Sequence, residues 1–370
     1  MNIALIEPFF TGSHAAWAEG YARRSRHAVE ILALGGNWWK WRMHGGAVTL
    51  ARRFVASAAA PDLLLATDML DLTTFLALTR RRTARLPVAL YFHENQLCYP
   101  WSPNDRDVRH RRDHHYGFIN FASALAADRV LFNSAYHREA FLDALPGFLK
   151  RFPPPRERDT VEAIRERSRV LHLGLDLARF DAPDLRPADA DEPDRPPLVL
   201  WNHRWEHDKN PEEFFEALFR LDAAGRDFRV AVLGEDFRRT YPVFERARET
   251  LGPKMVHYGY VEDFAGYARW LHRADLLPVT SRQDFFGASV AEAVFCGCRP
   301  LLPVRLTYPE LFDPGAHPEL FYRDLDDLVD RLAAAIADIA ADRRRTYRPL
   351  VERYDWRHMA PLYDDLFASI

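Results

Sequence analysis

The chain of 370 residues has only three cysteines and no long apolar run. Cys98, Cys296 and Cys298 cannot build a disulfide framework, and no spacing of cysteines or histidines matches a zinc site. No window reaches the roughly 18 apolar residues that a membrane helix needs, and the N-terminal segment lacks the form of a signal peptide. These absences predict a soluble, cytoplasmic protein with no metal ion and no membrane partner.

The net charge of -3 conceals an uneven distribution. Residues 1–180 hold 25 Lys and Arg against 18 Asp and Glu, whereas the remaining residues hold 25 against 35. A basic half joined to an acidic half indicates that an anionic partner meets the N-terminal half. The excess is modest, and it also fits an ordinary soluble domain.

Two carboxylates, Asp284 and Glu292, flank a predicted helix start. Between them lie Phe285, Phe286 and Gly287, and an apolar run follows. The unpaired N–H groups and the positive dipole at a helix N-terminus attract phosphate. Glu292, two turns further along the predicted helix, would reach sugar hydroxyls. The alternative is a buried helix with two solvated acids.

Two cations, Arg204 and Lys209, follow a short apolar strand predicted at 198–201. Open α/β sheets bind ligands at such strand ends. Arg and Lys together can neutralise a diphosphate. Alternatively, this loop is charged for solubility, and Arg204 pairs with Glu206 or Asp208.

These two stretches resemble the retaining, nucleotide-sugar-dependent glycosyltransferases of family 4, which have the GT-B fold. Family members carry an Arg and a Lys five apart, matched by Arg204 and Lys209, and two acids eight apart, matched by Asp284 and Glu292. The first acid is usually Glu in the family and is Asp here, one methylene shorter. The resemblance implies an α/β protein of two doubly wound, Rossmann-like parallel-sheet domains that face each other across a cleft.

The domain boundaries follow from composition and from the alternation of strands and helices. The acidic, proline-rich segment 181–197 is interpreted as a linker. It would join an acceptor domain at 1–180 to a nucleotide-sugar domain at 198–350. Residues 351–370 form an amphipathic helix, which in this fold crosses back onto the first domain.

A glycine turn follows the first predicted strand and contains Gly12, Ser13 and His14. Doubly wound domains place their first ligand loop here. In the enzymes that the chain resembles, this loop contacts donor phosphate or acceptor; the alternative for His14 is a hydrogen bond at a helix N-terminus. The same resemblance assigns weaker donor contacts to Gly234, Glu235 and Tyr260.

Four consecutive hydrogen-bonding side chains follow the apolar run that ends at residue 92: His93, Glu94, Asn95 and Gln96. They lie at a predicted strand end, where such sheets gather their chemistry. Four polar side chains in a row are costly to bury without a function. A solvated loop is the alternative.

An unusual segment between two glycine pairs interleaves tryptophans with cations: Trp38, Trp39, Lys40, Trp41 and Arg42. The pattern predicts a loop whose rings stack on unpaired bases or sugar rings. A hydrophobic plug between the domains is the alternative.

A second basic segment contains Arg109, Arg111 and Arg112. Such a cluster would hold a phosphate backbone. Nearby aspartates make an ion-paired, solvated surface a rival interpretation.

Four local patterns extend the resemblance beyond the broad family: EPFFTGSH, WKWR, YFHENQLCYP and HRWEHDKNPEEFF. Together they resemble the tRNA-queuosine alpha-mannosyltransferase group. The resemblance implies transfer of mannose from GDP-mannose to the cyclopentenediol of queuosine at the wobble position of aspartate tRNA, with retention and without a metal or other cofactor.

The resemblance also assigns catalytic roles. Arg204 and Lys209 would stabilise the departing diphosphate, and His93 or Glu94 would orient the sugar or the acceptor hydroxyl. Glu292 would hold the ribose, and Asp284 the donor sugar. Two rivals stay open: an enzyme of the same family with a lipid or polysaccharide acceptor, and an RNA-binding module without transfer.

Overall fold

The computed structural model describes residues 1–101, 107, 115–192, 195–234 and 241–370. They form two compact units, Met1–Asp176 with Tyr354–Ile370, and Leu177–Arg353. Each unit contains a six-stranded sheet whose strands are all parallel. Among the described helices, none combines the length and the apolar character that crossing a bilayer requires.

The first unit alternates strands and helices. Its strands are Asn2–Phe10 (β1), Ala28–Gly35 (β2), Leu63–Thr67 (β3), Val88–Phe92 (β4), Arg129–Phe132 (β5) and Ser168–Val170 (β6). Its helices up to β6 are Gly12–Arg24 (α1), Trp39–Ala56 (α2), Leu72–Thr83 (α3), His115–Ala126 (α4), Ala135–Leu149 (α5) and Thr160–Arg167 (α6). The strand order is β2-β1-β3-β4-β5-β6, so the direction of winding reverses between β1 and β3.

Alternation along the strands decides which side chains reach the helices on each face of this sheet. One face packs an apolar core that contains Ile6, Ala66 and Phe92. The residues after Ile6 and Ala66, Glu7 and Thr67, therefore project from the opposite face. Polar side chains thus meet at the carboxyl ends of β1 and β3, where the winding reverses.

The second unit also alternates strands and helices. Its strands are Leu198–Trp201 (β7), Arg229–Val232 (β8), Met255–Tyr258 (β9), Leu276–Pro278 (β10), Arg299–Pro303 (β11) and Phe321–Tyr322 (β12). Its helices are Pro211–Ala223 (α7), Pro242–Leu251 (α8), Phe264–Arg273 (α9), Ala288–Phe295 (α10), Tyr308–Phe312 (α11), Leu325–Ala337 (α12), Ile339–Asp342 (α13) and Arg348–Glu352 (α14). The order β12-β11-β10-β7-β8-β9 places its reversal between β7 and β10.

The last helix, Trp356–Ala368 (α15), packs on the first unit although it follows the second in sequence. The Trp356 ring fills the space beside Gly20, where an added Cβ would lie 2.1 Å from the indole nitrogen. The Tyr21 hydroxyl donates a hydrogen bond to Asp364, and the Trp17 indole donates one to Tyr363. These buried contacts anchor the C-terminal helix on the first unit, as the resemblance implied.

The segment interpreted as a linker differs from the expectation. The described residues of this segment belong to the second unit, which begins at Leu177, and the first unit ends at Asp176 rather than at 180. Arg195 binds the Asp275 carboxylate with two hydrogen bonds of 2.7 and 2.8 Å, and Leu185 is buried. Paired charges and a buried leucine hold this proline-rich stretch against the unit that follows it.

The tryptophan segment was predicted as a loop, and this prediction was wrong. It forms the first turns of α2, which begins at Trp39. Three of the buried residues that follow, Met43, Ala47 and Leu50, repeat at helical spacing and bury one face. The apolar periodicity overrides the glycines, whose cost in a helix is about 1 kcal/mol each.

Candidate functional site

Five ionisable side chains lie at the carboxyl ends of β1, β3 and β4 or in the first turn of α1: Glu7, His14, Asp68, His93 and Glu94. We call this group the N-terminal cluster. The His14 Nδ1 lies 3.1 Å from the Glu7 carboxylate, and the His14 and His93 rings are 4.2 Å apart between centroids. Asp68 accepts a 2.8 Å hydrogen bond from the backbone N–H of His93. Residues far apart in sequence are therefore held together at the reversal point of the first sheet.

The carboxylates of the N-terminal cluster control its protonation. Burial by itself would lower the pKa of His14, but the Glu7 carboxylate at 3.1 Å raises this pKa to about 9. Burial lowers the pKa of His93 well below its usual value, and neighbouring His14 lowers it further. Burial raises the pKa of Asp68. At neutral pH His14 is therefore a cation beside a neutral His93.

Three members of the cluster offer ligand atoms that lie within 4.8 Å of one another: Glu7, His14 and His93. Two imidazoles and a carboxylate are a ligand set that transition metals accept. Ligation needs a neutral imidazole, so the proton on His14 competes with any such ion near neutral pH. The described arrangement is that of a charge pair between Glu7 and His14.

The other predicted residues of these loops have distinct surroundings. Asn95 is buried, and its side-chain oxygen accepts hydrogen bonds from the backbone N–H groups of residues 97 and 98. The Gln96 amide donates to Glu94 at 3.0 Å. Gly12 has the positive φ of +49°, and Ser13 is exposed. Asn95 thus shapes the turn, while Gln96 and Ser13 remain accessible.

A second group lies where the second sheet reverses, at the ends of β7 and β10: Asp208, Lys209, Asp284, Gly287 and Glu292. We call it the C-terminal cluster. The Lys209 ammonium is buried and lies 3.4 Å from both the Asp208 and Asp284 carboxylates. It also donates a 2.8 Å hydrogen bond to the backbone carbonyl of Gln283. The predicted proximity of Lys209 to Asp284 is therefore present in the structure.

The helix start predicted at Gly287 is confirmed. Gly287 precedes α10 with φ +82°, a conformation that favours glycine, and its neighbours Phe285 and Phe286 are buried. Asp284 accepts a 2.9 Å hydrogen bond from the Tyr308 hydroxyl. This hydrogen bond holds the carboxylate three residues before Gly287, and a helix N-terminus such as that of α10 offers backbone N–H groups to an anion.

Glu292 lies one turn further along α10 and is half-buried. The Tyr267 hydroxyl donates a 2.8 Å hydrogen bond to its carboxylate. Burial raises the pKa of Glu292, and the hydrogen bond from Tyr267 opposes that shift. The hydrogen bond thereby fixes the Glu292 carboxylate in one orientation.

Arg204 is close to half exposed, and its guanidinium lies 3.8 Å from Glu206. This pair is the alternative that the sequence left open. An exposed ion pair with a separation of this size contributes little to the stability of the fold. The Arg204 guanidinium can therefore leave Glu206 and bind a ligand instead.

Close backbone packing explains a glycine in the same region. An added Cβ on Gly234 would lie 2.0 Å from the carbonyl oxygen of His203. Gly234 therefore brings the end of β8 against the loop after β7. Tyr260 is exposed after β9, and Glu235 lies outside the described residues.

The tryptophan segment divides into exposed and packed rings. Trp38 and Trp41 are 78% and 63% exposed, whereas Trp39 packs on Tyr116 at 5.2 Å between ring centroids. Lys40 forms an ion pair with Asp107.

Two exposed rings thus remain available for stacking on this surface. The Arg42 guanidinium donates to a backbone carbonyl at 3.0 Å. The predicted contacts Arg109, Arg111 and Arg112 lie outside the described residues.

Sequence reasoning missed several residues of both clusters. Glu7 and Asp68 were not among the predicted site residues. Tyr267 and Tyr308 were passed over although they orient the two predicted acids. One signal was available for Glu7, since a carboxylate inside an apolar strand needs a partner when it is buried.

Comparisons with known protein families agree with this arrangement. Residues 2–175 match the family model described as tRNA-queuosine alpha-mannosyltransferase N-terminal. Residues 196–342 match that of glycosyl transferases group 1. The tRNA-queuosine alpha-mannosyltransferase of Drosophila melanogaster is 35% identical over 315 residues, which cover 84% of this chain and 81% of that protein. The chain belongs to the tRNA-queuosine alpha-mannosyltransferase family.

Solved structures show the fold of this family member. Sucrose-phosphate synthase from Thermosynechococcus elongatus aligns over 100% of both chains with a TM-score of 0.69 and 16% identity. Anabaena Alr3699/HepE in complex with UDP-glucose also aligns over 100% of both chains, with the same TM-score and identity. The expected GT-B fold is confirmed.

Proposed function

We propose that the chain transfers mannose from GDP-mannose to the cyclopentenediol of queuosine at the wobble position of aspartate tRNA. The transfer would retain the anomeric configuration and use no metal. The C-terminal cluster carries this proposal, because a buried lysine and the open end of α10 meet two oriented carboxylates at the reversal point of a parallel sheet. Membership of the family supports the acceptor.

The chemical task of the C-terminal cluster would be to stabilise the departing diphosphate. Negative charge grows on the phosphate as the bond to the sugar breaks, and fixed cations and N–H groups stabilise it. Lys209 would supply one cation and the exposed Arg204 a second. The backbone at Gly287 would supply N–H donors at the start of α10.

The two acids would hold the donor. Asp284, oriented by Tyr308, would accept from hydroxyls of the sugar, and Glu292, oriented by Tyr267, from those of the ribose. Anabaena Alr3699/HepE was solved with UDP-glucose, which supports a nucleotide-sugar donor of this general kind.

The N-terminal cluster would serve the acceptor side. His93 or Glu94 would orient the sugar or the attacking hydroxyl, and the departing phosphate would take the proton of that hydroxyl. No protein nucleophile is assigned. Exposed Trp38 and Trp41 offer stacking surfaces for unpaired bases of an anticodon loop.

Mass measurement tests this function. Purified protein is incubated with GDP-mannose and aspartate tRNA that carries queuosine, and the digested nucleosides are weighed. A hexose increment on queuosine, absent with tRNA that carries guanosine at the same position, supports the proposal. The absence of a hexose increment with every nucleotide-sugar donor tested would contradict the proposal.

Other outcomes separate the remaining interpretations. Transfer of label to a lipid or polysaccharide but not to tRNA would identify an enzyme with an envelope acceptor. Binding of the tRNA without consumption of any nucleotide sugar would identify an RNA-binding module.

A further inference from the structure

The N-terminal cluster contains three carboxylates, Glu7, Asp68 and Glu94, and His14 is its one cation. His93 is neutral, for the reasons given above. Asp68 is only 1% exposed, and a buried carboxylate needs a compensating positive charge or a proton. The excess negative charge is unexpected in residues 1–180, which carry a surplus of Lys and Arg and would meet a polyanion.

Buried polar atoms without partners accompany this charge. Within the described part of the chain, Thr67 Oγ1, His93 Nε2 and Asn95 Nδ2 have no hydrogen-bond partner. Thr67 is fully buried at the end of β3, and His93 is 9% exposed just after β4. Buried polar side chains are nearly always hydrogen-bonded in native proteins, so three unpartnered atoms in two short loops indicate a polar ligand.

Strand register brings the unpartnered atoms towards the acids. Thr67 is paired with Tyr91 in the sheet, and both project from the face opposite the Ile6, Ala66 and Phe92 core. The His93 ring, two residues after Tyr91, lies beside the His14 ring on that same face, 4.2 Å away between centroids. The ligand that satisfies Thr67 and His93 would therefore also face Glu7 and the neighbouring carboxylates.

We propose that the N-terminal cluster binds the protonated secondary amine of queuosine, with Glu94 and Asp68 as its counter-charges. This inference rests on the proposed function and assigns its acceptor site. In queuosine this amine joins the cyclopentene ring to the base, and its ring carbon is next to a hydroxyl-bearing carbon. A group that binds the amine therefore also fixes the diol, whose hydroxyls can hydrogen-bond Thr67 and His93.

The two carboxylates would contribute in different ways. Glu94 is half-buried, so it can contact the amine directly, and the Gln96 amide holds its position at 3.0 Å. Asp68 uses one oxygen for the His93 N–H, which leaves the other available to an ammonium group. Burial raises the pKa of Asp68, and an arriving cation would favour its ionised form.

Binding to paired RNAs tests the site without relying on catalysis. Calorimetry compares an anticodon stem-loop carrying queuosine with one in which a methylene replaces the amine nitrogen. The wild-type protein should bind the amine form at least about tenfold more tightly, because charge-assisted hydrogen bonds contribute roughly 1.5 to 3 kcal/mol. Glu94→Gln and Asp68→Asn should each reduce this preference.

Matched controls keep the result interpretable. Glu19→Gln removes an exposed acid of α1 that pairs with Arg23, and it should leave the preference intact. Thermal unfolding of each variant checks the fold. If buried Asp68→Asn does not fold, the half-buried Glu94→Gln still decides the outcome.

Three results would overturn the inference. They are equal affinity of the wild type for both RNAs, an unchanged preference in Glu94→Gln, and a stoichiometric metal ion whose removal by a chelator abolishes the preference. Mannose transfer without an amine preference would refute this site alone. An amine preference without any transfer would support the site and refute the proposed reaction.

Discussion

Replacement of Lys209 by alanine should lower turnover by on the order of 100-fold, because it removes a buried cation from the place where diphosphate charge would develop. Removal of one such donor in an active site typically costs about 2.7 to 4 kcal/mol of transition-state stabilisation. The ammonium also lies 3.4 Å from Asp208 and Asp284, so the variant leaves two carboxylates without this partner. Their repulsion of the diphosphate adds to the loss.

The assay measures hexose transfer to queuosine-bearing tRNA under saturating donor, together with tRNA affinity. Lys254→Ala is the matched control, since Lys254 is also an ion-paired lysine of the second unit, at 2.6 Å from Asp222. Turnover should fall only in Lys209→Ala, and tRNA affinity should stay within about twofold in both variants. Unchanged turnover in Lys209→Ala would remove this residue from the catalytic role.

Four further predictions follow from the contacts above. Tyr267→Phe removes the hydroxyl that orients Glu292, so KM for the donor should rise several-fold at nearly constant kcat; an unchanged KM refutes the ribose role. Gly287→Ala should lower the free energy of unfolding by at least about 1 kcal/mol in urea titrations, because φ is +82° there and Tyr308 lies 3.2 Å from the added Cβ. The pKa of His14 is raised to about 9, so the Glu7–His14 pair stabilises the protein fully below pH 6.5, and this stabilisation is lost as pH rises through about 9. Glu7→Gln should therefore have a free energy of unfolding up to about 3 kcal/mol below that of the wild type at pH 6, and the difference should disappear by pH 9.5. A difference in stability that does not depend on pH would refute the pairing. Trp38→Ala and Trp41→Ala should weaken tRNA binding several-fold at unchanged Tm, whereas Trp39→Ala should lower Tm; the reverse pattern would exclude stacking by the exposed rings.

Local sequence patterns were sufficient where the structural cause is itself local. The helix start at Gly287 follows from residues a few positions apart in the sequence. The strand-to-helix alternation likewise predicted the parallel sheet of the second unit, while the pair of parallel sheets was implied by the family resemblance.

Local patterns could not predict the contacts that the sheets create between residues far apart in the sequence. Asp68 meets the N–H of His93 from 25 positions away, and Tyr267 meets Glu292 across the same distance in sequence. Strand order decides these contacts, and no spacing within one segment encodes strand order. The loop prediction for the start of α2 was wrong for the opposite reason, because the decisive signal was local. That prediction was based on the tryptophans and glycines and did not use the helical period of Met43, Ala47 and Leu50.

A crystal structure with bound GDP would test the central claim most directly, since it shows where the diphosphate lies. The account predicts phosphate oxygens within hydrogen-bonding distance of Lys209 Nζ and of backbone N–H groups at the start of α10, with ribose hydroxyls on Glu292. A diphosphate bound elsewhere, with Lys209 still paired only to Asp208 and Asp284, would contradict it.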